Sequence, residues 1–415
     1  MPTLEPVTPL LKLRAFAGYG IELEYMIVDH RTLAVRPLAD RLLIGPDGAV
    51  VNEVDHGELA WSNELVQHVL ELKTNGPAES LVGLGARFHR DLVEINGKLA
   101  ALGAGLLPTA MHPLFDPARE THLWPYGQNE IYEAYDRIFG CRGHGWSNLQ
   151  SMHINLPFYD EEEFRRLHAA IRIVLPLIPA LAAASPLEQG RRSAWLDNRL
   201  RYYRDNQKAI PEISGLVVPE PVTGIEDYHR QILEPMYAAI RPHDPNEVLS
   251  DEWLNSRGAI ARFERQTIEI RVIDLQECPA ADLAIAEAVV ELVRALYKER
   301  LAGFAAQQAL STEALAEQMW RCGEQGSQAE IGSEALLALF GCDRPLTAAE
   351  LWRKLLEDGL AVSPTAAGML ERIIVRGSLA EAIVRRLGSV PSEEEIRLCY
   401  RELGLCLAEN RLFLS

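Results

Sequence analysis

The sequence predicts an α+β fold organised on an antiparallel sheet, and three observations carry that expectation. Residues 20–29, 65–74, 151–158 and 267–275 alternate apolar and polar side chains with the two-residue period of half-buried strands. Residues 86–102, 161–175 and 280–301 repeat apolar positions every three to four residues, as amphipathic helices do. The strand segments lie far apart, and no glycine-rich strand-to-helix turn of the dinucleotide or P-loop kind follows any of them, which disfavours a doubly wound parallel sheet. From about residue 311 the pattern is almost wholly helical, with glycine or proline breaks at 323–326, 341–345 and 388–391. Two regions follow from this: a sheet-containing domain over residues 1–305 and a helical region over residues 306–415, packed upon it.

Composition narrows the class of partner. With 415 residues, 48% of them hydrophobic and 24% charged, the chain is an ordinary globular one. A formal charge of -18 argues against a grip on nucleic-acid phosphates, which needs clustered Lys and Arg, although a nucleotide can still be held through metal ions. The six cysteines form no CxxC pair, and the start lacks the basic, apolar and small-residue order of a secretory signal, so reduced thiols and a cytoplasmic location are expected. The longest apolar stretches, such as 175–184 with Pro176 and Pro179, fall short of the roughly 20 residues that span a bilayer. The expected partners are therefore small molecules, with no nucleic acid and no membrane; a homo-oligomer is compatible with this.

The four strand segments carry the polar residues of interest. In Gly20-Ile21-Glu22-Leu23-Glu24-Tyr25 the two glutamates project from one face while Ile21 and Leu23 project from the other. Carboxylates this close raise each other's pKa unless a cation lies between them, and hard oxygen ligands suit Mg²⁺ or Mn²⁺. An isolated pair of this kind is also what the solvent side of an amphipathic strand looks like. In Thr267-Ile268-Glu269-Ile270-Arg271-Val272-Ile273-Asp274, Glu269 and Arg271 share a face, which fits an acid on a metal beside a guanidinium on a phosphate, or a simple surface ion pair. In Ser151-Met152-His153-Ile154-Asn155-Leu156 the polar face carries His153 and Asn155; the imidazole can ligate a metal, and the carboxamide can hold nucleotide or substrate groups. Glu64 and Glu71 are an odd number of residues apart, so a turn or bulge near Glu64 is required if both serve one site.

In type and order these segments resemble the family-2 glutamate–cysteine ligases and related carboxylate–amine ligases of the glutamine synthetase superfamily. Gly20–Tyr25 resembles the opening GIExE strand, Glu64 and Glu71 the next acidic segment, Met152-His153-Ile154-Asn155 the histidine-bearing strand, and Thr267–Asp274 the (I/L)E(F/L)R strand. The resemblance covers about residues 15–300 and implies a glutamine synthetase-like, saddle-shaped antiparallel sheet backed by helices, with residues 1–305 as the catalytic domain. It implies Glu22, Glu24, Glu64, Glu71, His153 and Glu269 as metal ligands, with Arg271 on the nucleotide phosphates and Asn155 beside it in nucleotide binding. The implied cofactors are ATP and Mg²⁺ or Mn²⁺. The implied reaction joins a carboxylate, glutamate being the first to test, to an amine through an acyl phosphate, with Glu269 and Arg271 in the catalytic machinery. A phosphoryl transferase of the guanidino-kinase type and a catalytically degenerate nucleotide-binding protein are the alternatives.

Two stretches depart from the family pattern. Residues 195–204 (WLDNRLRYYR) are basic and aromatic, readable either as a grip on a substrate carboxylate or as a solvated helix. Residues 140–150 (GCRGHGWSNLQ) are glycine-rich, readable as a close approach to ligand or as a plain connection. Cys141 has no histidine at a diagnostic spacing, so no thiol nucleophile is expected.

Overall fold

Strand β1 (Gly20–Asp29) is the axis of an eight-stranded antiparallel sheet in the computed structural model, which describes residues 12–414. The other strands are β2 (Glu53–His56), β3 (Leu59–Asn63), β4 (Val69–Thr74), β5 (Ala104–Leu107), β6 (Ser151–Pro157), β7 (Ala259–Arg262) and β8 (Thr267–Asp274). Their order is β2-β3-β4-β1-β6-β8-β7. One edge of β1 pairs with β4; the other pairs with β6 along its first half and with β5 along its second.

The pleat of β1 separates two environments. Ile21, Leu23, Tyr25 and Ile27 are fully buried in the main apolar core, together with Phe88, Leu92 and Ile95 of helix α1 (Leu84–Ala100). Burying four large apolar side chains stabilises by about 1.5–3 kcal/mol each relative to exposure, so this face is firmly assigned to the helices. Helix α2 (Asn129–Phe139) lies over the opposite face, while α3 (Glu161–Val174) contributes Phe164, Leu167 and Ile171 to the main core. Helix α3 begins sharply because Asp160 accepts a hydrogen bond from the Glu163 amide and three glutamates occupy its first turn. Helix α4 (Asn198–Asp205) starts on the Asp197 cap, and α5 (Pro279–Tyr297) starts with proline at its first position and adds Ile285, Val289 and Leu292 to the core.

The helical region comprises α6 (Thr312–Gln325), the short helix Glu334–Leu339, α7 (Ala348–Glu357), α8 (Pro364–Arg376), α9 (Leu379–Leu387) and α10 (Glu393–Glu409). It shares the main apolar core, which runs from Phe16 to Leu412. Polar ties reinforce the contact: Trp352 Nε1 donates to the Leu177 carbonyl at 3.0 Å, and Glu287 accepts from the Ser363 amide at 2.9 Å. The buried Glu277, just past β8, pairs with Arg376 at the end of α8 and accepts from the Phe413 amide at 3.1 Å. A second apolar cluster joins Met26 and Val28 of β1 to Ile383 of α9 and Ile396, Tyr400 and Leu403 of α10. The face of β1 that carries Glu22 and Glu24 thus turns apolar further along and is capped there by the C-terminal helices.

The sequence-predicted strand at 65–74 is shorter than expected: only Val69–Thr74 is extended, and residues 64–68 form the turn that joins it to β3. That turn meets the requirement set by the odd spacing of Glu64 and Glu71. The strands at 53–56, 59–63, 104–107 and 259–262 had no counterpart in the sequence reading, being four or five residues long and too short to display a period. No helix among the described residues is long and apolar enough to cross a membrane, and all six cysteines are unpaired.

The Glu277–Arg376 pair gives a direct test of how the two regions are joined. Arg376→Met would leave a buried carboxylate without its cation, a loss of about 3–5 kcal/mol, read as a lower urea midpoint. Lys354→Met, which breaks an exposed pair with Asp358, should leave the midpoint essentially where it is.

Candidate functional site

Strand register assembles the site. Glu22 stands directly opposite His153 on β6 and Lys73 on β4; Glu24 stands opposite Glu71, and Glu71 opposite Ser62 on β3. Glu269 on β8 is opposite Asn155. Directly opposed residues in an antiparallel pair share a face, so these polar side chains converge on the side of the sheet away from α1. Gly20, at the head of β1, has to be glycine because a Cβ there would lie 2.9 Å from that of Asn155.

His153 is the centre of the arrangement. Its Nδ1 lies 2.9 Å from Glu22 Oε2 and 3.7 Å from Glu269 Oε1; its Nε2 lies 2.9 Å from Ser151 Oγ and 3.7 Å from Glu24 Oε1. Glu24 Oε2 accepts from the Ser151 amide at 2.6 Å and from its hydroxyl at 2.9 Å. Asn155 Nδ2 donates to Glu22 Oε1 at 3.0 Å. Glu71 accepts from Ser62 Oγ at 2.7 Å and lies 3.3 Å from Lys73 Nζ, while Glu269 is flanked by Arg262 and Arg271, each at 3.1 Å. The register of β8 against β6 slips by one residue between Ile270 and Ile273, opposite His153. Such a bulge re-aims side chains; it leaves Arg271 on the same side as Glu269.

The electrostatics record crowding of like charge. Burial drives the Glu71 carboxyl up to about 7, helped by Glu22 and Glu24 and opposed by Lys73 and Ser62. Glu64 is pushed well above the ordinary carboxylate range by burial and then by Glu24, Glu71 and Glu22. Burial also acts to raise Glu22, but the hydrogen bond and charge of His153, with Lys73 and Arg265, hold it down to about 2. Burial alone would lower His153; the hydrogen bond it donates to Glu22 and the charges of Glu24, Glu22 and Glu269 raise it instead.

These donors suit a divalent metal. Glu22, His153 and Glu269 can each offer one ligand atom within 4.8 Å of the others, and so can Glu24, Glu71 and His153. Carboxylate oxygens with one imidazole form a donor set for Mg²⁺ or Mn²⁺. Of the six residues that the sequence singled out as metal ligands, the two triads contain five and share His153; Glu64 lies outside both, on the adjacent wall with Glu24 and His153. Arg271 and Asn155 fall on opposite sides of this centre.

Two cavities flank this centre. The first, about 410 Å³, is bounded by Glu24, Glu64, His153, Arg199, Tyr203 and Arg271. The second, about 430 Å³, is bounded by Gly20, Glu22, Lys73, Asn75, Asn155 and Arg265.

Sequence reasoning missed several of these residues. Lys73 was readable, being two residues from Glu71 and so on the same face. Arg262 sits on a strand too short to recognise. Arg199 was left open between ligand grip and solvated helix, and the structure separates the arginines of that helix. Arg199 is buried on Asp274 at 2.6 Å, whereas Arg201 and Arg204 are partly exposed on Glu188 and Asp205. The glycine-rich stretch 140–150 contributes Gly145, Trp146 and Leu149 to the first cavity, and Gly145 lacks room for a Cβ against Asn206.

A family model described as Glutamate-cysteine ligase family 2 matches residues 19–402. The chain is 36% identical over 397 residues to an uncharacterized protein of Archaeoglobus fulgidus, covering 95% of this chain and 100% of that one. It is 28% identical over 357 residues to a Streptomyces coelicolor protein provisionally named glutamate–cysteine ligase 2, covering 85% and 88% of the two chains. The fold is similar to that of the Francisella tularensis glutamate–cysteine ligase, solved in complex with AMP, with a TM-score of 0.63 at 12% identity over 94% of this chain and 88% of that one.

Metal dependence of stability is the direct test of the two triads. After EDTA treatment, Mn²⁺ or Mg²⁺ should raise the melting temperature, since an ion bound only by the folded chain contributes about 2.7 kcal/mol at about 100-fold over its Kd. The rise should vanish in the Glu22→Gln/Glu24→Gln double variant; a melting curve indifferent to millimolar Mn²⁺ would remove the metal assignment.

Proposed function

The chain belongs to glutamate–cysteine ligase family 2, and from that premise we propose that it is an ATP-dependent ligase joining a carboxylate to an amine through an acyl phosphate. The observation that carries this reading is the convergence of Glu22, Glu24, Glu71, His153 and Glu269 on one face, between two cavities. A reaction in which a phosphoryl group passes from a nucleotide to a second substrate needs two chambers meeting at a charge-bearing centre. The second cavity suits the nucleotide: Lys73, paired with Glu53 and Glu71, and the exposed Arg265 bring cations to its wall, and Gly20 adds no side chain to it. The AMP held by the Francisella ligase is consistent with a nucleotide site in this fold. Glutamate remains the first carboxylate to test.

In this mechanism a carboxylate oxygen of the substrate, in the first cavity, attacks the γ-phosphorus of ATP. The bond to the β–γ bridging oxygen breaks, ADP leaves, and an acyl phosphate remains. The amine then attacks the acyl carbon, inorganic phosphate departs, and the amine gives up a proton. No enzyme nucleophile is needed; the work is alignment and neutralisation of charge on the transferring oxygens. Divalent ions, when bound, supply most of that neutralisation at the phosphate oxygens. Arg271 lines the first cavity with its guanidinium ion-paired to Glu269, so it faces the phosphoryl group as that group crosses to the carboxylate. Asn155, tied to Glu22, borders the side from which the nucleotide enters.

A panel of amino-acid carboxylates and amines, incubated with ATP and Mg²⁺, should yield inorganic phosphate and an amide for at least one pair, identified by mass spectrometry. Glu22→Gln and Glu269→Gln should each reduce turnover by at least 100-fold while circular dichroism stays unchanged. A phosphorylated substrate without free phosphate would instead indicate a kinase of guanidino or related groups. Absence of nucleotide binding with Mg²⁺ or Mn²⁺ would indicate a binding protein without catalysis.

A further inference from the structure

Resting on the ligase reading, we infer that the first cavity accepts, as the amine substrate, an amino acid with an aromatic or large apolar side chain in preference to a small one such as cysteine. Its walls are the reason. Tyr132 and Tyr135 come from α2, Trp146 from the 143–150 segment, Tyr203 from α4 and Trp253 from the turn Glu252–Leu254. Three of the rings are packed on one another before any ligand arrives: Tyr135 lies 5.2 Å from Trp146 and 6.0 Å from Trp253, and Phe139 backs Trp146 at 5.6 Å. Aromatic faces fixed by their neighbours bind a planar or bulky apolar body with little loss of side-chain freedom. At about 410 Å³ the chamber falls within the range of roughly 300–1,000 Å³ typical of pockets for drug-sized ligands. A cysteine side chain would leave most of the aromatic surface in contact with water.

The polar groups of the same cavity match the backbone of an amino acid. Arg199 is nearly fully buried and clamped from behind by Asp274, which also accepts from the Ala184 amide and Ser185. Arg199 Nη1 and Nη2 also donate to the Arg271 carbonyl at 3.5 and 3.3 Å, and the N–H groups left over at the cavity wall are where an amino-acid carboxylate would make charge-assisted hydrogen bonds. Gln207 is 3% exposed and donates to Ser256 Oγ at 2.7 Å, while its side-chain carbonyl has no partner. A buried amide oxygen without a donor is costly unless a ligand supplies one, and the N–H of an incoming amine would do so. Glu24 and Glu64 at the floor mark the end at which the acyl phosphate would be met.

The test uses the full chain with Mg²⁺ and a non-hydrolysable ATP analogue, titrated by calorimetry with phenylalanine, tyrosine, tryptophan, cysteine and glycine, alongside phosphate-release kinetics with ATP and glutamate as the carboxylate. The aromatic amino acids should bind at least tenfold more tightly than cysteine or glycine, and kcat/KM should rank in the same order. Trp253→Ala and, as a second variant, Trp146→Ala should weaken phenylalanine binding at least tenfold without altering affinity for the ATP analogue in the other cavity. Equal or tighter binding of cysteine, no binding by any of the five, or unchanged phenylalanine affinity in both folded variants would overturn the inference. Phosphate release with cysteine or glycine alone would sink it while leaving the ligase reading intact. Aromatic binding accompanied by a phosphorylated product and no free phosphate would sink the ligase reading and leave the preference standing.

Discussion

Cross-strand register is the constraint on which the rest of the molecule depends. Glu22 and Glu24 reach His153 and Glu71 only because β4 and β6 pair with β1 at one offset. Sliding either neighbour by one residue would exchange the faces, placing acids among the helices and Leu or Ile in the cavities. Ile21, Leu23, Tyr25 and Ile27, all fully buried, hold β1 in place from behind. The apolar face therefore bears the cost of concentrating carboxylates on the polar one, a cost visible in the raised Glu64 and Glu71 carboxyls.

Much of this was legible in the sequence because the information is local. Two-residue periodicity in 20–29, 151–157 and 267–274 marks both the strands and the face on which Glu22, Glu24, His153, Asn155, Glu269 and Arg271 lie. The odd interval between Glu64 and Glu71 required a turn or bulge if both were to serve one site, and a turn is present at 64–68. What stayed hidden depends on distant contacts. The basic helix 198–205 offers three similar arginines, and only burial against Asp274 distinguishes Arg199 from the exposed Arg201 and Arg204. The aromatic wall is drawn from four separate segments, none of which shows a pattern of its own. The short strands β2, β3, β5 and β7 are stabilised by their neighbours in the sheet more than by any sequence period.

The helical region does more than back the sheet. Helices α9 and α10 cover the second half of β1 through Met26 and Val28, on the face that carries the acids in the first half. A single strand thus carries the acidic cluster at one end and a packing surface at the other. Arg376 and Phe413 converge on Glu277, just beyond the end of β8, so the segment after α10 is tied to the strand that carries Glu269 and Arg271.

That division of β1 limits how such a scaffold can evolve. With one end of the face sealed by helices and the centre committed to charge, chemical novelty is confined to the rim: α2, the 143–150 segment, α4 and the turn near Trp253. Drift in those segments can alter what the cavity selects without disturbing the charged centre of the sheet, so sister proteins would diverge in diet well before they diverge at that centre.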